Sequence, residues 1–226
     1  MSTNIDRLFD SAARERVADA VRRAERGTSG EIVPCVVEQS DDYEESLWLA
    51  ALIAAGLALL VITVADIVLD PWGLIGLPGF ALIVAAAAAI GALVAGLSPA
   101  LRVVLAGRAT VEQRTRQAAQ AAFIAEEIFT TRDRTGILLF LSIRERRVIV
   151  LGDAGIDSRV APGVWQEIVR TIVAGIRAGR PVDALVAAIE RCGSILCDAG
   201  CTLAPDDANE LPDTLRIATS TRPPRG

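Results

Sequence analysis

Two carboxylates, Asp153 and Asp157, flank a glycine-containing turn in the run Leu151–Asp157 (LGDAGID). Spaced this way they could hold Ca²⁺ or Mg²⁺, hard cations that want several oxygen ligands. A cation there could polarise a phosphate ester, so the pair defines one candidate chemistry. Two carboxylates fall short of a full coordination shell, and helix capping accounts for the same residues. The turn is not a phosphate loop, because it lacks G-x-G-x-x-G and any Walker lysine. The chain has no histidine, which removes imidazole bases, Ser-His-Asp and Cys-His nucleophile systems and histidine-ligated metals. Cys192, Cys197 and Cys201 have spacers unlike C-x-x-C, and a metal on them would need a fourth ligand. The turn Thr130–Thr135 could hold an anion, or simply join a helix to a strand.

A second candidate chemistry is electrostatic. Arg144, Arg146 and Arg147 crowd a short turn, and Arg102 and Arg108 follow a long apolar stretch. These five could contact anionic lipid headgroups, at roughly 1 kcal/mol for each residue near the surface. A solvated hairpin tip is the plainer alternative. All basic residues are arginine and the net charge is −5. An acidic balance without a basic block, and aromatics at only 4%, argue against nucleic acid as a partner.

The elements that must position these residues fall into two groups. Mean hydropathy is +0.41, and the excess lies between Leu47 and Leu101. Segments 47–69 and 78–99 are each long enough to cross about 30 Å of hydrocarbon, so 47–101 reads as a transmembrane helical hairpin. Asp66, near the outer end of the first span, suits an interface. The link between the spans has no arginine, whereas Arg102, Arg108, Arg114 and Arg116 follow the second. The positive-inside rule then puts both termini in the cytoplasm, with Trp48 and Trp72 as anchors at opposite interfaces. Small residues recur at helical spacing (Ala50, Ala54, Ala58; Ala87, Gly91, Ala95), a seam for packing the spans on each other or for oligomerisation. Met1–Asp10 is polar, so no secretory signal is expected.

The remaining residues, 1–46 and 102–203, read as one discontinuous α/β domain. An amphipathic helix spans Asp6–Arg26, and a strand follows at Glu31–Glu38, where Pro34 suggests an edge or a bulge. A helix is expected over Ala109–Phe129, then strands at Gly136–Ile143 and Arg146–Leu151. The short link between them implies an antiparallel hairpin. Helices starting at Pro162 and Pro181 close the domain, and 204–226 is expected to be a disordered tail. The order predicts a three-layer α/β/α sandwich on a small mixed sheet. If the membrane crossover makes the first two strands parallel, Asp153 lies at the sheet end opposite Asp41 and Asp42.

The ordered set AERGTSGEIV (Ala24–Val33), TRDRTGILLFLS (Thr131–Ser142), RRVIVLGDAGI (Arg146–Ile156), Trp165 and NELPD (Asn209–Asp213) resembles the TPM-domain family. It is similar to the bacterial members that carry two hydrophobic spans after the first strand. The resemblance implies an α/β/α sandwich. Family members are linked to assembly or repair of photosynthetic membrane complexes and to receptor modulation, and some are credited with divalent-metal binding and weak acid phosphatase activity. The expected function is a non-enzymatic, cytoplasm-facing interaction domain in the inner membrane, with the bilayer and another membrane protein as partners and no obligatory cofactor. The alternative is a weak phosphohydrolase that uses Ca²⁺ or Mg²⁺ on Asp153 and Asp157.

Overall fold

The computed structural model describes residues 4–69, 76–202 and 210–220. The chain divides into two compact units, one of residues 1–41 and 112–226, the other of residues 42–111.

The first unit is built on a four-stranded mixed sheet in the order β3-β2-β1-β4. β1 (Ile32–Gln39) and β2 (Ile137–Ser142) are parallel, with Ile32 opposite Ile137 and Val37 opposite Ser142. β3 (Arg147–Gly152) returns antiparallel to β2. All six residues of β2 are buried, as expected of a strand covered on both faces. On one face, Ile32, Val36, Ile137, Leu139 and Leu141 pack against α2 (Ser11–Glu25), α7 (Val164–Arg177) and α8 (Pro181–Asp198). On the other, Val33, Cys35, Val37, Leu138 and Phe140 meet Ala118, Ala119 and Ala122 of α5 (Pro99–Ala125). Strand alternation thus supplies two cores from one sheet.

Three expectations need correction. The first helix is broken: α1 (Asn4–Leu8) ends before Phe9, and Asp10 restarts the chain by accepting the Ala13 N–H at 2.8 Å. An aspartate in extended conformation at that position is a helix start, which periodicity alone runs through. Second, part of the expected tail is ordered. Arg216–Ser220 forms β4, parallel to β1, with Cys35 opposite Arg216. Third, β1 is an interior strand although it contains Pro34. Ile137 N–H donates to Glu31 C=O and Ile143 N–H to Val37 C=O, so the odd-numbered residues of β1 bond β2. Proline's missing N–H therefore falls on the β4 side, one residue before β4 begins to pair.

The second unit holds two long apolar helices, α3 (Glu45–Leu69) and α4 (Leu77–Leu97), and the start of α5, which is kinked at Gly107. Each contains an 18-residue window of mean hydropathy 2.6 or 2.5. They pack together along the small-residue seam. A Cβ at Gly91 would lie 2.6 Å from the Ala50 carbonyl oxygen and 2.7 Å from Ala54 Cβ, so only glycine permits this approach. The seam read from sequence as a packing or oligomerisation surface is thus occupied within one chain at Ala50, Ala54 and Gly91. Ser46 Oγ donates to the Arg102 carbonyl at 2.9 Å, joining the starts of α3 and α5.

Candidate functional site

The registers place the start of β1, the start of β2 and the end of β3 at one end of the sheet. Loops from four parts of the chain meet there. Asp153, nearly fully buried, caps α6 (Ala154–Asp157) by accepting the Ala154 N–H at 2.7 Å. The same carboxylate takes a forked ion pair from Arg134, Nε–Oδ2 at 2.6 Å and Nη2–Oδ1 at 2.9 Å. Gly155 N–H donates to the Arg134 carbonyl at 2.9 Å. A Cβ on Gly155 would stand 2.1 Å from the Asp133 carbonyl oxygen. The glycine that sequence assigned to a strand-to-helix turn therefore serves close contact with the 131–135 loop. Thr135 Oγ1 donates to the Ser29 carbonyl at 3.2 Å, and Ser29 N–H to the Cys201 carbonyl at 3.3 Å, tying in the loops after α2 and α8.

Beside these loops lies a carboxylate group that the sequence reading did not single out. Glu25 accepts the Ile32 N–H at 2.7 Å, on the β4 side of β1 at a position before β4 begins to pair. Glu31, itself buried, accepts the Glu210 N–H at 3.0 Å. Glu210 in turn accepts the Arg132 N–H at 3.0 Å. Burial pushes the Glu25 carboxyl up to about 8. The Ile32 N–H opposes this rise, and the neighbouring Glu31 and Asp213 add to it, Asp213 also sharing a hydrogen bond with Glu25. Burial likewise raises Glu31, against the lowering effect of the Glu210 N–H. The signal available in sequence was NELPD itself, whose Glu210 and Asp213 join this group.

Asp153 is committed to Arg134 and the α6 cap, and Asp157 accepts the Trp165 Nε1–H at 2.8 Å. Asp153 would have to release these donors to hold a cation, whereas Asp157 is engaged through Oδ1 alone. Among the described residues no group of three or more His, Cys, Asp or Glu side chains has metal-binding geometry. Asp41 follows the end of β1, so it and Asp153 lie at opposite ends of the sheet.

At the Asp41 end, Arg144 Nη2 binds Glu38 Oε1 at 2.8 Å. Glu145, buried, accepts the Ser40 N–H at 2.8 Å and a short hydrogen bond from Ser142. Of the turn arginines, Arg146 is exposed and Arg147 half-buried. Arg102 donates to the Asp42 carbonyl at 2.9 Å, while Arg108 is exposed. Trp48 is 76% exposed, and Trp72 lies outside the described residues. Cys192 is buried and its thiol pushed up to about 12, as is that of Cys35. Burial also raises Cys201, whose Sγ lies 3.6 Å from an Arg159 donor. None of these three is poised as a thiolate.

A family model described as the TPM domain matches residues 83–195, half of the chain. No curated protein matches significantly. Among solved structures, the chain is similar to the NMR structure of BA42 protein from the psychrophilic bacterium Bizionia argentinensis, with a TM-score of 0.56 and 17% identity over 92% of this chain and 94% of that one. At that identity the likeness is one of fold.

Proposed function

The chain belongs to the TPM-domain family, and on that premise we propose that it is a membrane-anchored, cytoplasm-facing interaction domain that assists or modulates another membrane protein. One observation carries the membrane part. α3 and α4, of 25 and 21 residues, expose large apolar side chains on many sides, among them Leu52, Leu57, Leu60, Ile67, Leu82 and Leu97. Soluble monomers rarely expose contiguous apolar patches beyond a few hundred Å², whereas hydrocarbon accepts such helices. Their lengths, about 37 and 31 Å at 1.5 Å per residue, suit a bilayer. The arginines after α4 support the cytoplasmic orientation of the α/β unit in an inner membrane.

The interaction part is supported by the bonding of the candidate carboxylates. Asp153 takes donors on both oxygens and Asp157 holds Trp165 of α7, bonds that favour a structural role over catalysis. Headgroup contact would rest on Arg108, Arg146 and Arg147, since Arg144 is engaged by Glu38 and Arg102 by a backbone carbonyl.

A direct assay separates this reading from a phosphohydrolase. Full-length protein in lipid nanodiscs is titrated with Ca²⁺, Mg²⁺ and Mn²⁺ and given a generic phosphate ester. The expected result is no turnover above that of empty nanodiscs. Metal-dependent turnover that disappears in Asp153→Asn would replace the interaction reading with the enzymatic one.

A further inference from the structure

β3 is an outer strand of the sheet, and its free edge lies in a groove rather than on an open flank. Asp153 N–H donates to Gly136 C=O. With the antiparallel register this directs the backbone groups of residues 147, 149 and 151 toward β2. The N–H and C=O groups of Val148 and Val150 therefore point outward, and no hydrogen bond to them is found among the described residues. A free edge of this kind is a template for another strand.

The groove has a volume of about 310 Å³ and runs along this edge between α5 and α7. Thr115 and Arg116 line one wall, Trp165 and Val169 the other, and β3 forms the floor. Its charged residues are Arg116, Arg147 and Glu112, and neither guanidinium has an ion-pair or hydrogen-bond partner among the described residues. Two uncompensated guanidinium groups against one carboxylate favour an anionic guest, while the valines, Ile149 and the tryptophan favour apolar side chains. A strand-shaped row of backbone donors and acceptors selects an extended main chain.

We propose that this groove binds an extended peptide segment of a partner protein, with alternating apolar side chains and a carboxylate, as a fifth strand on β3. The inference rests on the reading of this unit as an interaction domain and names the chemistry of what it engages.

The test uses full-length protein in nanodiscs and the synthetic probe acetyl-Asp-Val-Thr-Val-Thr-Val-amide. Binding is expected below about 1 mM, with slowed amide hydrogen exchange at Val148 and Val150. Val150→Pro removes an outward N–H while sparing the bonds to β2, and should weaken binding about tenfold. Arg147→Glu should weaken it by about two- to fivefold. Because Val150→Pro also alters a packed side chain, the same probe N-methylated at every residue, which blocks both of its edges, serves as a control on the peptide side, and it should not bind. Three results would overturn the proposal: no binding at 1 mM, equal binding of the N-methylated probe, or protection of Val148 and Val150 that tracks protein concentration without peptide, which would assign the edge to a second copy. Failure of these tests alongside absent phosphatase turnover would leave the interaction reading standing and remove only this site.

Discussion

Asp153 carries three hydrogen bonds on two oxygens, and each joins parts of the chain that are distant in sequence or start a helix. Gly155, two residues on, lets the α6 backbone press against the carbonyls of Asp133 and Arg134. Gly155→Ala is expected to destabilise the α/β unit by about 1–3 kcal/mol, as overpacking does. Denaturant unfolding of the full chain in detergent would measure this, and an unchanged midpoint would show that the loop gives way freely. At this scale the sequence exposed the residues but not their duties. Asp153 was legible as a possible ligand or cap because both roles leave the same letter in the same turn. Its partner Arg134 lies 19 positions away, and no local pattern announces that pairing. Glu25 was hidden for a related reason. In sequence it is one more charged residue in the last turn of an amphipathic helix, and its contact with the Ile32 N–H on the neighbouring strand leaves no local mark.

At the scale of elements, β1 to β3 and the helices around them follow from periodicity and loop length, because each reports a local preference. β4 does not. Its five residues follow a proline- and aspartate-rich stretch, and what orders them comes from elsewhere: the outer edge of β1, the Arg216–Glu126 ion pair at 2.7 Å and the Glu31 carboxylate on the Glu210 N–H. The buried Glu31 and half-buried Glu25 carboxyls beside this segment make its attachment pH-dependent. Glu25 binds its proton more tightly in the fold, at about 8, than at its ordinary value of 4.5. Between those values the folded state holds more protons than the unfolded one, so stability falls as pH rises from about 4.5 to about 8. The raised Glu31 contributes in the same direction. Thermal unfolding across that window should show a falling midpoint, and Glu25→Gln should flatten the slope. A midpoint that rises steadily over the same window in the unmodified protein would contradict the assignment.

For the molecule as a whole, the apolar segments are the plainest feature of the sequence, and the structure makes them helices of bilayer length with exposed side chains. Their place between β1 and α5 matters more than their hydropathy. Chain that leaves one strand and must return to the same sheet cannot be a detachable tail. On the proposed reading, such an anchor inside the domain would restrict how far the α/β unit can travel from the membrane, which would suit work on membrane partners. Labelling with a membrane-impermeant maleimide in intact cells tests this claim most directly. In a Cys197→Ser background, Trp72→Cys, in the link between α3 and α4, should react from outside, whereas exposed Cys197 in the unmodified protein should react only after the membrane is opened. Reaction of both positions before opening, or of neither until then, would contradict a hairpin that crosses the bilayer twice and leaves the domain inside.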